Sequence, residues 1–181
     1  MIKKIYSLVL IFIVVVTMTA CGNNGTNAAA SNTATQTQKV SISTENITKE
    51  KLFVSVPAGW ERNEGSVLEH HYMKNTASFM VKIEAFTAKT LDGVVTEAKG
   101  KYKDAFKNYK DVGATEDIKI DGKDAKKIVF TCDVGNYSMK YMYVYVYVGK
   151  DVYVITFGDL QKTYDSLSSD YQTILNSITI K

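Results

Sequence analysis

Cysteine is nearly missing from this chain. There are two, Cys21 and Cys132, which leaves no disulfide framework, so the core must be stable by burial. Proline occurs once, at Pro57, so predicted strands and helices run with few interruptions. Histidine occurs only as the neighbours His70 and His71. The usual announcements of an enzyme are missing as well. There is no Gly-x-Ser-x-Gly, no His-Glu-x-x-His, no P-loop and no dinucleotide glycine pattern. Nothing repeats at a solenoid period. The longest apolar run, Ile5 to Val16, has 12 residues, short of the ~20 that a spanning helix needs.

What is present begins at the N-terminus. Met1-Ile2-Lys3-Lys4 is a short basic start, Ile5 to Val16 is an apolar run, and Met18-Thr19-Ala20 sets small residues directly before Cys21. This is the layout of a cleavable export signal. It resembles a bacterial lipoprotein signal with its lipobox. The resemblance implies that residues 1–20 are removed and that Cys21 carries a diacylglyceryl thioether and further acyl chains such as palmitate. Two or three chains at about 0.8 kcal/mol per buried methylene hold firmly. Loss of Lys3 and Lys4 with the signal takes the chain's +3 to +1. Export and near-neutral charge disfavour nucleic acid. The expected location is the extracytoplasmic side of the cell membrane, lipid-anchored.

From Gly22 to about Ile47 the residues are Asn, Thr, Ala, Ser and Gln with almost no large apolar side chain. Such a segment buries too little to offset its ordering entropy, so residues 21–49 read as an acylated cysteine followed by a disordered polar linker. A tether of ~25 residues reaches roughly 25–30 Å. Residues 50–181 are one domain's worth of chain. Hydrophobic content of 45% and aromatic content of 11% suffice for a packed core.

Period-2 patterns predict strands over 52–56, 67–73, 78–86, 118–120, 127–134, 139–148 and 152–157. Phe79, Val81, Ile83 and Ala85 share one face, as do Ile128, Phe130, Cys132 and Val134. Asp121-Gly122, Gly135-Asn136 and Gly149-Lys150-Asp151 are turn signals, so the last four strands should form an antiparallel meander. Leu91, Val94, Val95, Ala98, Tyr102, Ala105, Phe106 and Tyr109 recur at helical spacing, predicting a helix over 90–110 capped by Thr90. A second stripe, Tyr164 to Ile178, predicts a helix over 163–177 capped by Thr163. The fold class is α+β, an antiparallel β-sheet with helices packed on it.

Phe53-Val54-Ser55-Val56-Pro57-Ala58-Gly59-Trp60 at the domain start, a helix after the third strand, a long meander and a last helix ending Ile174-Leu175-Asn176-Ser177-Ile178 together resemble the PsbP/Mog1/DcrB-like superfamily. Many of its bacterial members are small lipoproteins. The resemblance covers about residues 50–181. It implies a PsbP/Mog1-like sandwich with a non-enzymatic role in binding or assembly. Plant relatives are photosystem II subunits, but no residue specific to that task is identifiable here.

Four sets of residues are candidates for function. Tyr141, Tyr143, Tyr145 and Tyr147 occupy one face of a strand whose other face carries Met142 and valines. Both faces buried is the plain reading; an open aromatic platform for a partner, glycan or hydrophobic ligand is the functional one. Lys99, Lys101, Lys103, Lys107 and Lys110 lie on or beside the polar side of the first predicted helix. They form a possible membrane-facing set, Lys99, Lys103, Lys107 and Lys110 above all. Glu69 and His71 share a face, but a metal site there needs a further ligand such as Glu84. Asp117, Asp121 and Asp124 surround Gly122, yet Ile118 and Ile120 stand where calcium ligands belong, so the stretch reads as hairpin chemistry. Cys132, mid-strand, reads as buried and inert. No catalytic residue, metal or cofactor is assigned. The leading expectation is a non-catalytic, lipid-anchored domain that binds an envelope or membrane protein. The alternatives are a small-ligand receptor with a pocket between sheet and helix, lined by Tyr141, Tyr143 and Tyr145, and a hydrolase built around His71.

Overall fold

The computed structural model describes residues 51–181. The signal, Cys21 and the tether expected over 21–49 lie outside the described residues. Along the chain run β1 (Leu52–Phe53), β2 (Glu61–Arg62), β3 (His70–Lys74), β4 (Ala77–Glu84), α1 (Leu91–Ala105), β5 (Lys107–Asp111), β6 (Glu116–Ile120), β7 (Lys123–Val134), β8 (Tyr137–Val148) and β9 (Asp151–Leu160). The short α2 (Gln161–Tyr164), a 3-10 turn (Asp165–Leu167), α3 (Ser168–Ser177) and β10 (Thr179–Ile180) follow. An eight-stranded antiparallel sheet has the order β2-β3-β4-β9-β8-β7-β5, with β6 also paired to β7. The expected meander is β6 to β9, and β4 closes onto β9.

The sheet is a middle layer with a helix on each face. Residues 142, 144, 146 and 148 of β8 join Phe79, Val81, Ile155 and Phe157 in one core, closed by Tyr164, Tyr171, Ile174 and Leu175 from the C-terminal helices. Tyr143 and Tyr145 join Ile128, Phe130, Cys132, Val152 and Val154 in a second core beneath Val94, Val95 and Ala98 of α1. A strand covered on both sides must be apolar at every position, which explains the unbroken aromatic-aliphatic run of β8. The α+β fold class read from the sequence is the one observed.

Several boundaries differ from the sequence reading. Thr90 caps α1 as expected, its hydroxyl accepting from the Gly93 N–H at 3.2 Å, but the helix stops at Ala105. Phe106 is extended (φ −108°, ψ 134°), and residues 107–111 become β5. The cause is tertiary: β6 pairs with β7 only along Lys123–Lys127, leaving an open edge that β5 fills through Thr131, Phe130 and Asp133, with a register shift between Lys107 and Lys110. A bulged edge strand rich in charge resists pairing with another chain. Thr163 is not a cap; its hydroxyl donates to the Leu160 carbonyl at 3.2 Å, inside a helix that begins at Gln161. Ile83 and Val134, in phase with buried neighbours on their strands, lie at or next to the strand ends and are exposed.

β1 and β10 form a separate two-stranded strap. Lys51 and Lys181 exchange backbone hydrogen bonds of 2.7 and 3.0 Å, and the Ile180 N–H donates to Asp121 Oδ2 at 2.8 Å. The chain therefore enters the domain beside the β6–β7 turn.

Candidate functional site

The tyrosine face of β8 is built into the core. Tyr145 is fully buried and Tyr143 nearly so, with α1 lying over them. The Tyr102 and Tyr145 hydroxyls share a hydrogen bond at 2.9 Å, and the Tyr102 ring stands edge-on to Tyr143 at 5.1 Å. Phe130 stacks with Tyr102 at 5.4 Å and tilts against Tyr141 at 5.5 Å. Burial pushes the Tyr143 and Tyr145 phenols well above their ordinary value, and Tyr141 up to about 12. Tyr141 and Tyr147 are half-buried, Tyr147 donating to the Ala88 carbonyl at 3.4 Å. The expectation of an open platform over Tyr141–Tyr147 is thus corrected. Aromatic side chains of α1 and β7 occupy the layer that such a platform, or a sheet–helix pocket lined by these rings, requires.

The same face re-emerges at its far end. Tyr137 opens β8 on the side of Tyr141 and Tyr143, pairs across the turn with Val134, and is 64% exposed, with Val134 at 39%. Beside it runs an open groove of about 570 Å³ lined by Asn136, Tyr137, Ser138, Leu160, Gln161 and Lys162. Sequence reasoning passed over Tyr137. The available signal was its two-residue phase with the other tyrosines and its place next to the Gly135-Asn136 turn, where no helix reaches.

A larger open cleft, about 820 Å³, lies at the opposite end of the sheet among the α1 N-terminus, the β6–β7 turn and the β8–β9 turn; Asp92, Asp117, Lys126 and Tyr147 line it. Lys126 bridges Asp92 at 2.7 Å and Asp117 at 2.6 Å, so these charged groups of its lining pair with one another. Asp121 and Gly122 both have positive φ (47° and 77°), the backbone of a tight hairpin turn. Asp124 pairs with Lys119.

The histidines face opposite ways, His70 paired with Val81 and His71 with Met80. Among the described residues no three His, Cys, Asp or Glu side chains are grouped to hold a metal ion. Glu84 pairs instead with Lys82. His71 is buried between Asn63 and Ser78. The Asn63 amide is oriented by its Oδ1, which accepts from the Gly65 N–H at 3.1 Å. Its Nδ2 therefore donates to His71 Nδ1 at 3.3 Å, and His71 Nε2 faces Ser78 Oγ at 3.2 Å. A proton added at Nδ1 would meet a donor, and burial lowers the pKa from its ordinary 6.5. The folded state therefore holds this imidazole neutral while the unfolded chain takes up a proton near pH 6.5. Stability from this group is present above that pH and is lost as pH falls toward the folded-state value. The urea midpoint should drop between about pH 7 and pH 5, and His71→Gln should flatten that slope.

Burial pushes the Cys132 thiol up to about 11, an unreactive setting. Lys99 and Lys103 are on α1, with Lys99 paired to Asp111 at 3.0 Å and Lys101 to Glu97 at 2.8 Å. Lys107 and Lys110 sit on edge strand β5 and not on the helix, so the lysines do not form the single helical face expected of them.

No protein-family model matches the chain, and no curated protein matches it. Among solved structures it is similar to LpqN of Mycobacterium tuberculosis, a protein involved in cell envelope biogenesis. The TM-score is 0.59 and the identity 14%, over 73% of this chain and 84% of that one. PA94 of Pseudomonas aeruginosa is similar at TM-score 0.52 and 13% identity, over 71% and 80%. The cyanobacterial PsbP of Synechocystis aligns at TM-score 0.49 and 12% identity, over 76% and 96%. What LpqN and PA94 share with this chain is the fold, an antiparallel sheet with helices packed on it.

Proposed function

We propose that this protein is an extracytoplasmic lipoprotein, held to the cell membrane through acylated Cys21, whose PsbP-like domain binds an envelope or membrane protein without catalysing a reaction. The observation that carries the reading is the run Met18-Thr19-Ala20-Cys21 behind a 12-residue apolar segment. Among the described residues no helix is long and apolar enough to cross a membrane. The envelope role of LpqN, similar in fold, supports the location. The absence of chemistry is supported by where the reactive groups lie: Cys132 is buried with a raised pKa, and His71 spends both ring nitrogens on Asn63 and Ser78.

The test is metabolic labelling with an alkyne fatty acid. The wild-type chain should take up label and sediment with membranes. Cys21→Ala should lose the label and leave the membrane fraction. A variant that labels and sediments like wild type overturns the anchor. The partner is then sought by crosslinking from intact membranes, with the Cys21→Ala chain as the comparison.

A further inference from the structure

The groove beside Tyr137 is rimmed by exposed side chains next to hydrogen-bonded corners of the fold. Asn136, Gln161 and Lys162 are exposed, at the rim of an open groove with the Tyr137 ring and Leu160 beside them. The walls, by contrast, are held firmly. Asp133 accepts from Asn108 Nδ2 at 2.6 Å and from Ser138 Oγ at 2.9 Å, which fixes the β7–β8 hairpin. Buried Asp159 accepts from Thr76 Oγ1 at 2.6 Å and from the Leu160 N–H at 2.7 Å, which fixes the β9–α2 corner. A flat amphipathic ring and polar side chains able to donate and accept are thus set side by side on hydrogen-bonded corners of the fold.

We propose that this groove is a subsite for a glycan strand bearing N-acetylated amino sugars, with Tyr137 as the stacking platform. A pyranose presents a C–H face that covers an exposed aromatic ring, while its edges carry hydroxyls. An acetamido group needs one acceptor and one donor together, and the Asn136 and Gln161 amides each offer that pair. Lys162 donates to ring hydroxyls. The groove lies at the end of β7 opposite the β6–β7 turn, beside which the described residues begin. The inference borrows only the extracytoplasmic address from the proposed function. Binding is measured on purified protein, so its failure leaves that address standing.

The experiment uses the full chain in a zwitterionic, sugar-free detergent with the tetramer of N-acetylglucosamine as probe, followed by saturation-transfer NMR and calorimetry. Binding at around 1 mM is expected, with transfer to ring C–H and acetamido methyl protons. Cellotetraose, which lacks the acetamido group, should bind more weakly. Tyr137→Ala should weaken binding about tenfold, Tyr137→Trp should retain it, and Gln161→Ala should narrow the preference over cellotetraose. Tyr137 is mostly exposed, so the urea midpoints of its variants should match wild type and a folding defect is read separately. The proposal is overturned if no transfer is seen at about tenfold higher probe, or if Tyr137→Ala binds like wild type. Tyr137-dependent binding to phosphatidylglycerol vesicles without glycan binding overturns it too.

Discussion

Gly158→Ala should destabilise the domain by about 3 kcal/mol. In an ordinary strand interior this exchange gains stability, since glycine costs roughly 0.5–1 kcal/mol relative to alanine there. Here the sign reverses. Gly158 lies on β9 between Ser78 of β4 and Tyr141 of β8, and the Tyr141 ring lies against its backbone. A Cβ at 158 would stand 2.3 Å from Tyr141 Cε1 and 2.6 Å from Cδ1. The ring cannot slide away cheaply, because Phe130 at 5.5 Å, Phe106 at 6.3 Å and Tyr143 at 6.0 Å surround it. Overpacking of a well-filled core costs about 1–3 kcal/mol, and a contact this short belongs at or beyond the top of that range. The check is a double-mutant cycle by urea unfolding. Tyr141→Ala alone should destabilise by loss of packing, and Gly158→Ala added to it should cost little. A coupling of about 2 kcal/mol is expected. Additive effects would mean that the ring is not what excludes a side chain at 158.

The same contact shows what the sequence could and could not say. Period-2 patterning placed β4, β7, β8 and β9 on the right residues because each buries at least one face, and burial is what patterning reports. Thr90 was legible because a cap is a local event. Where α1 ends was not. Phe106 and Tyr109 fall in phase with Val95 and Ala98 for a helix, and they pack on Phe130 equally well with Phe106 at the helix end and Tyr109 on β5. An open stretch of β7 decides between the two, and that is a fact about a strand some 20 residues further on. The tyrosine face was legible as aromatic and, on the plain reading, as covered, but not where that cover ends. Composition cannot tell whether a helix lies above a ring, and α1 reaches Tyr143 and Tyr145 while stopping short of Tyr137. The site candidates went astray by that one distance. The strand predicted over 52–56 shrinks to β1, Leu52–Phe53, while β2 and β10, with two residues each, carry no periodicity, and only the pairing in space defines them.

Phe130→Ala separates core from surface along this one face. Phe130 is completely buried, and its ring meets Tyr109 at 5.0 Å, Tyr143 at 5.3 Å and Tyr102 at 5.4 Å. Truncation removes the ring on which α1, β5 and β8 all converge. The expected cost is about 3–5 kcal/mol, a large share of the 5–15 kcal/mol that holds a typical domain together. Phe130→Leu should cost much less, about 1–1.5 kcal/mol, because it keeps most of the volume. The second-core tyrosines should respond together. Their near-ultraviolet circular dichroism should collapse in Phe130→Ala, while Tyr137→Ala, on the same face but outside α1's cover, should change stability by under about 0.5 kcal/mol. Should Phe130→Ala prove as mild as Tyr137→Ala, the aromatic layer would not be a packed core. The face would then have to be reconsidered as a cavity able to admit a ligand between α1 and the sheet.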